Sequence, residues 1–88
     1  MKYVIQDQDT GNYVTSDSVF ETDKGVLYST FSGRANGIEY CDNKELANNI
    51  SINITNQLAK YEIHKNYIIK DVTKSTLPKG EMLIEHIY

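Results

Sequence analysis

Residues 42–60 read D-N-K-E-L-A-N-N-I-S-I-N-I-T-N-Q-L-A-K, and the fold depends on whether this stretch is a helix or a strand. Apolar residues recur at every fourth position, as expected for a stripe along one side of a helix. They are Leu46, Ile50, Ile54 and Leu58, with Ala47 beside them. The isoleucines at positions 50, 52 and 54 also alternate with polar residues, which is the period of a half-buried strand.

The ends and the length of this stretch favour the helix. Asp42 followed by Glu45 has the form of a capping box, in which the first side chain accepts from free backbone amides and the second reaches back. The apolar pattern also persists for about four turns, which is longer than a usual strand. We therefore predict a central helix at about residues 43–59. Its asparagines and β-branched residues are poor helix formers, so burial must stabilise it.

Strand-like segments flank the helix on both sides. Residues 2–6 and 12–16 are predicted to form a hairpin, because the turn between them is rich in turn formers and Gly11 can adopt a positive φ. Further strands are predicted at 26–31, 38–41, 61–72 and 82–88. Residues 61–72 can form one bent strand or two, and the phase of their apolar residues slightly favours one. The predicted fold class is α+β, with an antiparallel sheet of five or six strands packed on one central helix.

Length and composition indicate one domain, residues 1–88, with a single core of modest size. Apolar residues make up 40% and charged residues 24%, which is typical of a globular protein. Cys41 is the sole cysteine, so a reduced compartment is expected. We find no apolar run long enough for a signal peptide or a membrane span, and we expect a cytoplasmic protein without a membrane partner.

The net charge of −3 is unevenly distributed along the chain. Residues 1–59 hold eight acidic and four basic side chains, a balance of −4, whereas residues 60–88 hold four acidic and five basic ones, a balance of +1. Phosphate contacts require a basic surface, so duplex nucleic acid is not an expected partner. A basic protein is the partner that this charge favours.

Three groups of residues invite a catalytic or ligand-binding interpretation, and each is incomplete. Asp7, Asp9 and Gly11 resemble the start of a calcium loop, but the later glycine and glutamate positions do not match. Gly33 and Gly37 bracket Arg34 without the spacing of a phosphate-binding loop. The two histidines and Cys41 show no metal-ligand or nucleophile–base signature. We therefore predict no enzyme activity, no cofactor and no metal site.

The chain contains seven tyrosines and no tryptophan, an unusual ratio for its size. Tyrosine buries a large ring while its hydroxyl stays in water, so it suits both sheet faces and protein interfaces. Arg34, the only arginine, is also a candidate contact residue. The residues predicted to bind a partner are Arg34, Tyr28, Tyr40, Asp7, Asp9 and Asp17.

The opening K-Y-V-I-x-D-x-x-T-G-x-Y-V of residues 2–14 carries a family resemblance, together with E-L-A at 45–47 and Y-E-I at 61–63. These segments and the Lys-, Asn- and Ile-rich composition resemble small early proteins of phages that infect low-GC Gram-positive bacteria. The resemblance implies a protein that binds and inhibits a host protein, as anti-CRISPR and anti-restriction proteins do. It implies no catalytic or binding residues, because it includes no functional motif.

Two hypotheses for the function follow from the sequence. The first is a non-enzymatic protein-binding module that engages a host protein through an acidic, tyrosine-bearing surface. The second is an oligomeric structural or accessory protein, possible as a homodimer, in which the apolar strand at residues 82–88 pairs with another copy. An enzyme that uses Cys41 or a histidine is a weaker third interpretation.

Overall fold

The computed structural model of the chain describes residues 2–33, 41–72 and 77–88. It contains an antiparallel sheet packed on one helix, which confirms the predicted α+β class. In chain order the elements are β1 (Tyr3–Asp7), β2 (Tyr13–Val14), β3 (Val19–Thr22), β4 (Gly25–Phe31), α1 (Lys44–Ala59), β5 (Tyr67–Asp71) and β6 (Met82–His86).

Strand β4 lies between β6 on one edge and both β2 and β3 on the other. Tyr28 shows this directly, because it pairs with Val19 of β3 and with Glu85 of β6. Strand β2 also pairs with β1, and β1 with β5. Across the sheet, β6 lies beside β4, and β2 and β3 lie along the other edge of β4. Strand β1 follows beside β2, and β5 follows beside β1. Among the described strands, β3, β5 and β6 each pair with one other strand only and so have an unpaired edge.

The first hairpin is confirmed. Strands β1 and β2 pair with Ile5 opposite Val14 and Gln6 opposite Tyr13. Gly11 has a φ of 76°, the positive value that the turn requires. The returning arm is shorter than predicted, because β2 contains two residues. The chain then turns and continues as β3, a strand that the sequence analysis did not predict because three of its four residues are exposed.

Helix α1 is confirmed, but its cap is Asn43 and the predicted capping box at Asp42 is wrong. The backbone of Asn43 is extended, and its side chain accepts a hydrogen bond of 2.7 Å from the Leu46 amide. The Asp42 carboxylate instead forms an ion pair with Lys2. The helix thus begins one residue later than the capping box predicts, because Asn43 rather than Asp42 supplies the oxygen that accepts from a free amide of the first turn.

The buried side of α1 is centred on Ala47, Ile54 and Leu58. Ile50 is half-buried beside them. Ile52 is 50% exposed. A helix turns it away from Ile50 and Ile54, whereas a strand would place all three on one face. The predicted burial of Leu46 is wrong, since its side chain is 47% exposed. Leu46 lies about 100° around the helix from Ala47, which places it outside the contact with the sheet.

The single strand favoured at residues 61–72 is also wrong, since only Tyr67–Asp71 forms a strand. After α1 the chain must reverse, and it does so at Glu62, which has a φ of 61°. The amides of Tyr61 and Ile63 both donate to the Leu58 carbonyl and close the helix end. Of the strand predicted at 38–41, only Cys41 is described, and it pairs with Tyr3; the remainder lies outside the described residues.

The core has two parts because successive strand residues point to opposite faces of the sheet. On the helix side, α1 packs on a cluster that includes Ile5, Val14 and Tyr28. On the other side, Val4, Tyr13, Phe31, Val72 and Leu77 form a smaller cluster. In the described part of the chain, no helix is long and apolar enough to cross a membrane.

Candidate protein-binding surface

The structure places Asp7 and Tyr28, two of the predicted partner-binding residues, in contact inside the protein. The Tyr28 hydroxyl donates a hydrogen bond of 2.7 Å to Oδ2 of Asp7. Oδ1 of Asp7 accepts a bond of 2.8 Å from the Asp9 amide. The Asp7 residue is 0% exposed and Tyr28 is 2% exposed. Neither side chain is therefore presented to a partner.

These two residues belong to a buried polar cluster, which also contains Tyr67 and Lys65. The Tyr67 hydroxyl lies 3.0 Å from that of Tyr28. The Lys65 ammonium lies 3.9 Å from Oδ2 of Asp7 and 5.3 Å from the centre of the Tyr28 ring. A buried carboxylate requires such partners, because an isolated buried charge is strongly unfavourable. The cluster thus fixes β1, β4 and the start of β5 relative to one another.

We expect the buried cluster to make the protein sensitive to alkali. Burial raises the pKa of Tyr67 from 10.0 to about 12, and burial together with the hydrogen bond to Tyr67 raises that of Tyr28 further. The folded protein therefore holds these protons more tightly than the unfolded chain does. Their contribution to stability is complete below pH 10 and is lost as the pH rises towards and through 12.

The measurement is the free energy of unfolding in urea at a series of alkaline pH values. Wild-type protein should lose stability steadily above pH 10, and Tyr67→Phe should lose less because one titrating hydroxyl is gone. A stability that stays constant through this range would show that the two hydroxyls are not buried as described.

The other predicted residues lie apart from this cluster. Asp9 is at the surface with its side chain 58% exposed, and it is 3.8 Å from the Lys65 ammonium. Asp17 is exposed in the turn between β2 and β3. Arg34 and Tyr40 lie outside the described residues. The predicted set is therefore not brought together as one surface by the part of the chain that the structure describes.

A different acidic, tyrosine-bearing surface lies at the end of the sheet where β3 turns into β4. We call it the Tyr61–Tyr88 cleft, and its volume is about 480 Å³. Its lining residues are Glu21, Thr22, Asp23, Lys24, Gly25, Val26, Tyr61 and Tyr88. It combines two aromatic rings with two carboxylates and one ammonium.

Three backbone features position the two tyrosines. Tyr61 stands in the turn that closes α1. Tyr88 follows β6, and its carbonyl accepts a hydrogen bond of 2.9 Å from the Val26 amide. Gly25 has a φ of 134°, and a Cβ at that position would lie 1.9 Å from the Tyr88 carbonyl oxygen. Glycine is therefore required there, because any side chain would push the last residues of the chain away from β4.

The rings of Tyr61 and Tyr88 contact each other, with 4.7 Å between their centres and 48° between their planes. Interaction with the Glu21 carboxylate raises the pKa of Tyr61 above its usual value. This carboxylate lies at the edge of the aromatic pair. Tyrosine faces and carboxylates both attract cations, so the cleft can receive a basic side chain.

Sequence reasoning missed this cleft. It counted Tyr61 and Tyr88 among the seven tyrosines but did not select them, nor Glu21 and Asp23, as partner-binding residues. The four positions are up to 67 residues apart along the chain, so no local spacing could relate them. What brings them together is the reversal at Glu62 and the pairing of β6 with β4, and neither of these was predicted.

Comparison of the chain with protein-family models, with curated proteins and with solved structures gave no match. Within residues 2–33, 41–72 and 77–88, no three His, Cys, Asp or Glu side chains meet in a way that could hold a metal ion. The thiol of Cys41 is buried and forms no disulfide. The function must therefore be inferred from the surface geometry.

Proposed function

We propose that the chain is a non-enzymatic protein-binding module, encoded by a phage or mobile element, that binds and modulates or inhibits a host protein. The observation that carries this proposal is the Tyr61–Tyr88 cleft, in which two contacting tyrosine rings lie beside the carboxylates of Glu21 and Asp23 in an open volume of about 480 Å³. Aromatic anchors with a charged rim are typical of protein-binding surfaces.

The partner is a protein that presents a lysine or arginine side chain. Its cation would contact a tyrosine face and pair with the two rim carboxylates, a combination that is stronger than either contact alone. The net charge of −3 adds long-range attraction for a basic partner. Lys24, also in the lining, reduces this attraction and makes the precise placement of the incoming cation important.

The class of partner is suggested by the sequence resemblance to small phage proteins. Among such proteins are inhibitors of CRISPR and restriction systems, which act by occupying one surface of a host protein. An 88-residue acidic module without a catalytic residue set is suited to that mode of action, because binding alone is sufficient for inhibition.

The test is capture of host proteins from a lysate of a low-GC Gram-positive bacterium, followed by affinity measurement on each captured protein. We expect a partner whose binding weakens with salt. Tyr88→Ala removes one ring and should weaken the affinity about 2- to 5-fold, the range of a cation–π contact at an exposed site. The double variant Glu21→Gln, Asp23→Asn should slow association and reduce the salt dependence.

The matched control is the double variant Glu45→Gln, Glu81→Gln. It removes the same two charges from exposed positions outside the cleft. It should retain most of the affinity for the partner. Comparison with the cleft variant therefore separates the effect of net charge from the local effect of the cleft. A partner that is bound equally well by the cleft variants and the control would refute this cleft as the binding surface.

A further inference from the structure

Strand β6 is exposed on both of its faces. All five residues from Met82 to His86 are exposed, and the three apolar ones are 55%, 47% and 55% exposed in chain order. The register explains this, since Leu83 and Glu85 point to the helix side and Met82 and Ile84 to the opposite side. Helix α1 packs on β1, β3 and β5 and does not reach β6.

The outer edge of β6 presents backbone groups that no described strand pairs. In the antiparallel ladder with β4, alternate residues of β6 exchange hydrogen bonds with β4. Bonds between Ser32 and Glu81 and between Val26 and Ile87 show that the odd-numbered residues point inwards. The amides and carbonyls of Met82, Ile84 and His86 therefore point outwards, where another strand can pair with them.

Strands β5 and β6 both have an unpaired edge, and they differ in how that edge is protected against such pairing. Strand β5 ends with Lys70 and Asp71, and charged residues, lysine above all, disfavour the pairing of edges. Strand β6 contains neither lysine nor proline, and three of its five residues are apolar. Glu85 is its one acidic residue, so the β6 edge is less protected than the β5 edge, and an apolar edge of this kind is expected where the strand has a partner.

Of the three registers centred on the middle residues of β6, Leu83, Ile84 and Glu85, one places no like charges opposite each other. If the two strands run antiparallel about Ile84, then Ile84 lies opposite Ile84 of the second copy, Met82 opposite His86, and Leu83 opposite Glu85. Moving the centre to Leu83 places Glu81 opposite Glu85, and moving it to Glu85 places Glu85 opposite itself. Like charges directly opposite one another are destabilising, so the register about Ile84 is favoured.

We infer that β6 is the interface of a homodimer, in which two copies pair antiparallel through their β6 edges about Ile84 and continue the sheet across both. This interface is separate from the Tyr61–Tyr88 cleft and stands whether or not the cleft binds a host protein. An edge-to-edge contact of one short strand buries little area, so the dimer should be weak and depend on concentration.

The first experiment measures the average mass by sedimentation from low micromolar to millimolar concentration. Wild-type protein should rise towards twice the chain mass of 10.1 kDa. Ile84→Lys should stay at the monomer mass, because two ammonium groups would lie directly opposite one another. Ile52→Lys is the matched control: Ile52 is 50% exposed on α1, and this variant should dimerise as the wild type does.

The second experiment tests the register by oxidative cross-linking. In the proposed dimer the two Ile84 Cα atoms are about 5.5 Å apart, so Ile84→Cys should form an intermolecular disulfide. Leu83 lies opposite Glu85, which separates the two Leu83 Cα atoms by more than about 7 Å, so Leu83→Cys should not cross-link. The native Cys41 is buried and should stay reduced.

Three results would overturn the inference: a wild-type chain of monomer mass at every concentration, dimers of unchanged strength in Ile84→Lys, or equal cross-linking at positions 83 and 84. If the wild-type chain stays a monomer, the β6 edge is left to pair with a different chain. If positions 83 and 84 cross-link equally, the copies pair in a different register. Circular dichroism of each variant checks that it is folded, which is expected because all three substituted side chains are already exposed.

Discussion

Replacing Ile54 by alanine is expected to lower the free energy of unfolding by about 2–5 kcal/mol. The Ile54 side chain is 1% exposed and packs between Leu58 and the sheet residues of the main core. Its truncation removes buried apolar surface and leaves a cavity that the neighbouring strands cannot fill without moving. Because a domain of this size has a total stability of about 5 kcal/mol, much of the variant should be unfolded.

The control for this prediction is Ile52→Ala, on the same helix and of the same chemistry. Ile52 is 50% exposed, and alanine is the better helix former, so the change in unfolding free energy should be under about 1 kcal/mol. Denaturation midpoints at unchanged slope give the comparison. Equal and large losses at both positions would contradict the orientation of α1.

Replacing Asp7 by alanine should have a comparable effect, about 3 kcal/mol. The substitution leaves the Tyr28 hydroxyl without its acceptor at 2.7 Å and the Asp9 amide without its cap at 2.8 Å. It also removes the buried anion 3.9 Å from Lys65. Each of these groups is then partly buried without a full set of hydrogen-bonding or charged partners. Polar groups lower the stability most under that condition.

Two further variants separate the contributions to this loss. Asp9→Ala removes an exposed carboxylate at 3.8 Å from the same lysine and should cost under about 1 kcal/mol. Tyr28→Phe removes only the hydroxyl and should cost about 1.5–3 kcal/mol, because Asp7 then lacks one charge-assisted hydrogen bond. If Asp7→Ala proves as mild as Asp9→Ala, the carboxylate is not buried in the way the structure indicates.

The sequence was sufficient to predict the elements whose signals are local. The fourfold spacing around Ile54 located α1, and Gly11 located the first turn. The errors have non-local causes. Leu46 follows the same spacing but lies beyond the area that the sheet covers. The strand predicted at 61–72 is interrupted because the chain must reverse after α1. It reverses at Glu62, whose left-handed backbone conformation cannot be predicted from residue preferences.

The functional surfaces were less predictable than the fold. The apolar edge strand could be recognised from Met82–Tyr88, and the structure places β6 at an edge. The sequence did not show which tyrosines are buried: Tyr28 binds Asp7 in the core, whereas Tyr61 lines the cleft. That distinction depends on which strand pairs with which, and pairing between distant segments is not encoded in their spacing.

The central claim is that the Tyr61–Tyr88 cleft receives a basic side chain, and a titration followed by nuclear magnetic resonance tests it most directly. The ¹⁵N-labelled chain is titrated with a short glycine–serine peptide that carries one arginine, and with the same peptide carrying neutral citrulline. The arginine peptide should shift the amide signals of residues 21–26, Tyr61 and Tyr88, and citrulline should leave them unchanged. Equal shifts with both peptides, shifts centred elsewhere, or none at all would contradict the account.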